Sequence, residues 1–402
     1  MLRGLTSKQI DTIADKYVGG LYDDLEREVI ADIARRVKKT GRYTETAELM
    51  AKAMREQGYN TAKIQREVMK QLRADKEYKR NVAQITKEYK QYIKNIIKDT
   101  VYNAIKAGDK LVGSAGDMAW NDDLQVWKAH NIDLKKPNNL NQLYQAFKLQ
   151  TKQQLRNITQ STGFKGTLLG TTGVLHMYQR SMDLAVLKLS TGAFSYDQVV
   201  KDLVHQLAQS GLRSIDYASG RSYHIDTAAR MVVRTASSQL AGKITEMNIE
   251  KTGVELVYVD AHAGARPSHA IWQGKVYSYK GNSKKYPDFV KSTDYGSVTG
   301  LKGANCTHNF YPYWEGSPIP KFEEPEPVKV NGKEYTRYEA TQEQRKMERG
   351  IRATKREIEA NEALGYDTKD LKSKLNKQTR EYKQFSNAVN LRPKKNRLNV
   401  TT

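Results

Sequence analysis

The chain has 402 residues, of which 67 are Lys or Arg and 45 are Asp or Glu, a formal net charge of +22. Hydrophobic residues make up 38% and charged residues 28%, a balance that suits long solvated helices better than a thick globular core. No run approaches the roughly 18 consecutive apolar residues that cross a bilayer, and the single cysteine, Cys306, excludes an intramolecular disulfide framework.

Met1–Ser7 lacks the apolar stretch of a secretory signal, so synthesis in a reducing cytoplasm with no stable membrane anchor is expected. The positive excess is spread thinly along the chain, which favours loose attraction to a polyanion over sequence reading.

Residues 1–110 read as an extended helical region. Apolar positions at Ile64, Val68 and Leu72, then Tyr78, Val82, Ile85, Tyr89, Tyr92 and Ile96, step by three and four and form one narrow stripe. Lysines cover the rest, so the stripe can pack on one partner surface, within the chain or on a second copy. Gly108 and the Gly113–Gly116 stretch are expected to end it.

Residues 111–250 read as a helical core. The Gly163–Gly173 stretch is expected to be a flexible break, and it lacks the Gly-Lys-Ser/Thr ending of a phosphate loop. Leu175–Leu189 has helical spacing. Ser195 is a predicted N-cap and Gly211 a predicted terminator for the next helix, and Asp226 a predicted cap for a third. These three helices carry the broadest apolar faces.

At Gly253 the period changes to alternation, over Val254–Asp260, with further short strands predicted at Lys275–Tyr279 and Asn309–Trp314. Residues 251–322 therefore form a small mixed module. Residues 323–402 begin with the stiff acidic run Glu323–Pro327 and continue as a charged helical tail, broken at Gly350 and Gly365 and expected to form helices on contact with a partner. It ends in the basic residues Lys394, Lys395 and Arg397, which are candidate phosphate contacts. The fold class is α+β, predominantly α-helical, with long helices and a small mixed α/β module near residues 250–320.

The module carries the chemistry. His262, His269, Cys306 and His308 supply three imidazoles and one thiolate, the donor set of a tetrahedral zinc site. Cys306 and His308 stand two apart, so on a strand they share a face. A structural reading needs no metal: Asp260 pairs with Arg266, Ser268 caps a short helix, Trp272 is buried, Gly274 terminates the helix, and Cys306 is an ordinary buried residue. An enzymatic reading takes Cys306 as nucleophile, His269 or His262 as base and Asp260 as orienter, although no spacing establishes that geometry.

These residues also carry a resemblance. A strand ending in Asp260, the Arg266-Pro267-Ser268-His269 turn, Trp272-Gln273-Gly274-Lys275, Tyr286-Pro287-Asp288-Phe289, Tyr295-Gly296 and the closing Gly303-Ala304-Asn305-Cys306-Thr307-His308 follow one another over about sixty residues. In this order they resemble the tailed-phage minor capsid proteins (the phage minor capsid protein 2 family) and, more distantly, the head-morphogenesis proteins of phage Mu F type. Thr307 stands where a basic residue is more familiar. Asp260, Arg266, Trp272, Gly274 and Asn305 are the structural signature.

The resemblance implies a minor structural protein made in the host cytoplasm, packaged inside the capsid near the portal and acting in head assembly or early DNA ejection. It implies as partners the portal protein, other capsid or scaffold components, packaged DNA without sequence preference, and further copies of the chain. No catalytic residue and no cofactor beyond the zinc candidate is assigned. The alternatives are a sequence-independent DNA-binding protein acting during ejection and a cysteine-dependent hydrolase.

Overall fold

In the computed structural model the described residues are Ala14, 18–216, 218 and 220–398; the Met1–Ser7 segment and the side chain of Lys395 lie outside them. Among the described residues the chain is predominantly helical, with three small antiparallel sheets. Helix α1 (Gly20–Gly41) lies at the centre and buries Tyr22, Leu25, Val29, Ile30, Ile33, Ala34 and Val37. Helices α2 (Glu45–Glu56) and α3 (Thr61–Ala74) follow. Ile64, Val68 and Leu72 of α3 pack with Ala47, Ala51 and Val186 in a separate small cluster.

The expected single stripe is divided at Asp75. Its carboxylate accepts the amide hydrogens of Glu77 and Tyr78 and so starts a new helix, α4 (Lys76–Ala129). Ile85, Tyr89 and Ile93 of α4 then enter the main core with α1.

Gly108 and Gly113–Gly116 do not end α4, which continues for 54 residues. These glycines serve close packing against α5 (Leu140–Gln160). A methyl on Gly116 would lie 2.5 Å from the Tyr144 ring, and one on Gly108 would lie 3.3 Å from Thr151. A glycine costs a helix interior only about 1 kcal/mol, and burial against a neighbouring helix outweighs that.

The Gly163–Gly173 stretch is ordered as the hairpin of β1 (Thr162–Gly166) and β2 (Gly170–Gly173). With β3 (Arg213–Ile215) and β4 (Ser222–His224) it forms a sheet in the order β2-β1-β3-β4.

The three expected core helices are present. Helix α6 (Met177–Leu189) buries Met177, Tyr178, Met182 and Leu189. Helix α7 (Tyr196–Ser210) begins in a capping box of Ser195 and Gln198 and ends at Gly211. Helix α8 (Ile225–Thr252) is flanked by His224, so Asp226 sits inside its first turn and pairs with Arg230 instead of capping.

Past Gly253, β5 (Leu256–Val259) is central to a sheet with β6 (Val276–Ser278) and β7 (Phe310–Tyr313). Short helices α9 (Pro267–Ala270) and α10 (Phe289–Thr293) lie in the connections. Val257, Val259, Trp272, Tyr277, Phe289 and Phe310 share one core with Trp120 and Trp127 of α4 and Leu240 and Ile244 of α8. The sheet module is thereby fused to the long helices.

After the acidic run comes a hairpin that the sequence reading did not include, β8 (Val328–Val330) with β9 (Lys333–Tyr335). Helices α11 (Arg337–Glu362), α12 (Lys369–Ala388) and α13 (Lys395–Leu398) complete the described chain. Helix α11 passes through Gly350 without a break and finds its partners within the chain. Its Arg356 reaches Glu26 of α1 at 3.2 Å and its Arg352 reaches Asp226 at 3.5 Å, while Glu357 meets His205 of α7 at 2.9 Å. Gly365, with φ +75°, lies in the turn after α11.

A further buried carboxyl joins α4 to α8. Asp123 accepts from Thr245 Oγ1 at 3.1 Å and from Asn248 Nδ2 at 2.8 Å, and burial pushes it up to about 7. A carboxyl raised in the folded state contributes stability that is fully present below its unfolded pKa and lost as pH rises through the folded one. That window runs from 3.8 to about 7.

Asp123→Asn is therefore expected to gain on the wild type across this window, by up to ~1.4 kcal/mol per pH unit. Asn248, whose Oδ1 has no partner, turns its amide over to accept from the new side chain. Urea midpoints at low and neutral pH measure the difference; a constant gap between the two proteins would contradict it.

Candidate metal centre

Two turns build the site at the end of the β6-β5-β7 sheet. The first follows β5. Gly274 N–H returns to the Val259 carbonyl at 2.9 Å and Val259 N–H donates to Lys275 O at 3.0 Å, which closes the 260–275 loop around α9. Pro267 at the first position of α9 needs no amide partner there, and its fixed φ starts the helix. His269 thus points inward, where Trp272 packs on its ring at 4.5 Å.

The second turn precedes β7. Asp294, Lys302 and Asn305 take positive φ, and Ala304 N–H donates to Val298 O at 2.8 Å. This coil delivers Cys306 and His308 from extended chain just before β7. Asp260 N–H donates to Asn309 O at 3.0 Å and the Asp260 carboxylate accepts Asn309 N–H at 2.8 Å, so the two turns are stitched together.

His269, Cys306 and His308 converge. One donor atom from each lies within 4.8 Å of the others, and they are 2%, 2% and 1% exposed. Cys306 Sγ is 3.8 Å from His308 Nδ1. His308 Nε2 lies 2.9 Å from Gln273 Oε1, which also accepts the backbone N–H of His262 at 3.1 Å. The amide oxygen of Gln273 therefore faces His308, whose Nε2 carries the proton. His269 Nε2 is 2.8 Å from the Thr299 carbonyl, which can only accept. Both rings are thus held with the Nδ1 lone pair available.

His262 lies one layer outside. Its ring stacks on His308 at 4.2 Å, and its Nε2 meets Thr307 Oγ1 at 2.5 Å.

Burial dominates the electrostatics. It pushes the Cys306 thiol up, lowers His269 and His262, and with the neighbouring imidazoles takes His308 down to about 2. Buried Lys302, lowered to about 8, donates to Ser238 and Asn309 beside the thiol. Neutral imidazoles next to a cysteine suit metal coordination.

Other expected contacts are corrected. Asp260 does not pair with Arg266, which donates to the Ala304 carbonyl at 2.7 Å. Ser268 is exposed within α9 and does not cap it; Arg266 precedes the helix. Trp272 is buried, Gly274 takes φ +70°, and Asn305 takes φ +58° on the exposed rim. Asp260 faces Asn309 and not an imidazole, so it does not orient a base for Cys306. Gln273, Thr299 and Lys302 were missed. Gln273 lies inside a quoted motif, whereas a backbone carbonyl such as that of Thr299 has no sequence signal.

The model of the family described as phage minor capsid protein 2 matches residues 5–387. A relative described as a structural protein, from Lactococcus phage LL-H, is 27% identical over 297 residues, covering 69% of this chain and 76% of the relative. No solved structure matches.

Proposed function

The chain belongs to the phage minor capsid protein 2 family and is a structural component of a phage, and from this premise we propose that it is packaged inside a tailed-phage head beside the portal, acting in head assembly or early DNA ejection. The observation that carries the reading is the family match, which spans nearly the whole chain and includes the region of the Cys306 turn.

Physical features support the placement. Tyr102 on α4 and Leu149 on α5 are exposed apolar side chains on long helices that a docking partner would cover. The net charge of +22 favours tolerance of packed DNA. Among the described residues no helix is long and apolar enough to cross a membrane.

Lys394, Lys395 and Arg397 are the proposed phosphate contacts. The chain around them is anchored by Lys394 N–H on Tyr382 Oη at 2.8 Å and by Arg352 on the Arg397 carbonyl at 3.0 Å. The division into an amino-terminal helical region (1–110), a helical core (111–250), a sheet module (251–322) and a charged tail (323–402) belongs to the same proposal. Cross-linking inside purified filled heads tests it: the expected partners are portal subunits and, through Lys394 and Lys395, DNA.

A further inference from the structure

We propose that the protein binds one zinc ion through His269, Cys306 and His308, and that this ion clips the 260–275 and 294–309 turns together beneath Trp272. The donor types are those zinc prefers, two imidazoles and a thiolate. They come from two turns, with His269 37 positions before Cys306 in the sequence, yet one donor atom of each falls within 4.8 Å of the others.

Bond lengths of about 2.0 Å to nitrogen and 2.3 Å to sulfur make the N···S edge of a zinc tetrahedron about 3.5 Å long. The Cys306 Sγ–His308 Nδ1 separation of 3.8 Å is close to that edge. That pair already stands near the required spacing, and the edges to His269, within 4.8 Å, close to about 3.3–3.5 Å as the ion enters.

The surrounding hydrogen bonds carry the inference further. Ligating histidines characteristically donate their remote N–H to a carbonyl or carboxylate, which fixes the tautomer and aims the lone pair at the metal. Here both rings do so, His269 to the Thr299 carbonyl and His308 to the Gln273 side chain. Each bond satisfies a buried ring N–H and at the same time leaves the Nδ1 atom of that ring free to coordinate, that of His308 lying 3.8 Å from the thiol.

The module also has reason to use a clip. Its sheet has three strands of three or four residues, and most of residues 279–309 is irregular chain. Metal binding there adds directly to folding free energy. On binding, Cys306 gives its proton to solvent and the thiolate enters coordination. Three protein donors leave one position for water. His262 stacks on His308 as part of the wall and is not a ligand.

The experiment uses the full chain purified without chelator, with zinc content by elemental analysis and cobalt(II) as a spectroscopic probe. One zinc per chain and a cobalt–thiolate charge-transfer band are expected, with both lost in Cys306→Ser. Gln273→Ala, which removes no ligand, is expected to weaken zinc affinity ten- to a hundredfold. His262→Ala is expected to keep both signals.

A wild-type protein with neither zinc nor the cobalt band would overturn the proposal, as would a Cys306→Ser protein that keeps both. If Cys306→Ser does not fold, the cobalt band in the wild type and the Gln273→Ala affinity decide the matter alone.

Discussion

Replacing Arg356 with alanine is expected to destabilise the protein by about 3–5 kcal/mol, because it leaves a charged carboxylate buried without its partner. Arg356 Nη1 lies 3.2 Å from Glu26 Oε2, with side chains 4% and 1% exposed. Glu26 also accepts the Leu212 amide at 2.7 Å, and Arg356 donates to the Ala208 carbonyl at 3.3 Å. The pair thus ties α11 to both α1 and α7, beside the Glu357–His205 and Arg27–Glu359 contacts.

Burial raises the Glu26 carboxyl and Arg356 opposes that shift. Without the guanidinium, Glu26 must either protonate or stay charged in a dry environment. The double change Arg356→Met with Glu26→Gln keeps an acceptor for Leu212 and removes both charges, so it is expected to recover more than half of the loss. Urea unfolding of the wild type and the two variants measures this. A loss below about 1 kcal/mol for Arg356→Ala, the scale of an exposed pair, would mean that the tail does not pack on α1.

The second large effect is expected at Gly300. A methyl there would lie 1.9 Å from the Asp294 carbonyl oxygen and 2.8 Å from that of Thr293. Both are backbone atoms and cannot swing aside as a flexible side chain would. Gly300→Ala must therefore open the 294–303 loop, at a cost of about 3 kcal/mol or more.

The loop also places the Thr299 carbonyl on His269 and closes the Gly303–Cys306 hydrogen bond at 3.0 Å. The damage should fall on the module first. Limited proteolysis is expected to cut within residues 260–309 while helical circular dichroism is largely kept. Gly296→Ala is the control in the same loop: its φ is +89° but nothing lies within 4 Å, so only the cost of a left-handed residue, about 1 kcal/mol, applies. Equal effects at the two positions would contradict the packing described.

These two sites also show what could be read before the fold was known. Local signals held where the chemistry is local. Ser195, Gly211 and Gly253 act over a few residues, and the helix ends fall on them. The strand at 256–259 follows from alternation next to the helix terminator Gly253, and that at 310–313 falls within the predicted Asn309–Trp314.

Signals failed where a residue is explained by something distant. Gly108 and Gly116 read as breakers because the sequence does not show Thr151 and Tyr144 lying across them. Helix α1 was not singled out because Asp23, Glu26 and Asp32 interrupt its apolar pattern. They are buried, and the partner of Glu26 arrives from α11, some 330 positions later.

The candidate metal centre divides in the same way. The residue types at His262, His269, Cys306 and His308 are visible in the sequence, and the i, i+2 spacing of Cys306 and His308 does bring both to one cluster. That His262 turns instead to Thr307 depends on a backbone bend at the 260–264 turn. The supporting acceptors, Gln273 and the Thr299 carbonyl, become visible only when the loops are closed.

Position within the particle tests the functional account most directly. Intact filled heads are treated with protease, then cross-linked, opened and mapped by mass spectrometry. The full-length chain is expected to survive, in far fewer copies than the main shell protein, with its cross-links confined to the portal vertex and the DNA beside it. A chain digested in intact heads, absent from them, or cross-linked evenly across the shell would contradict the account.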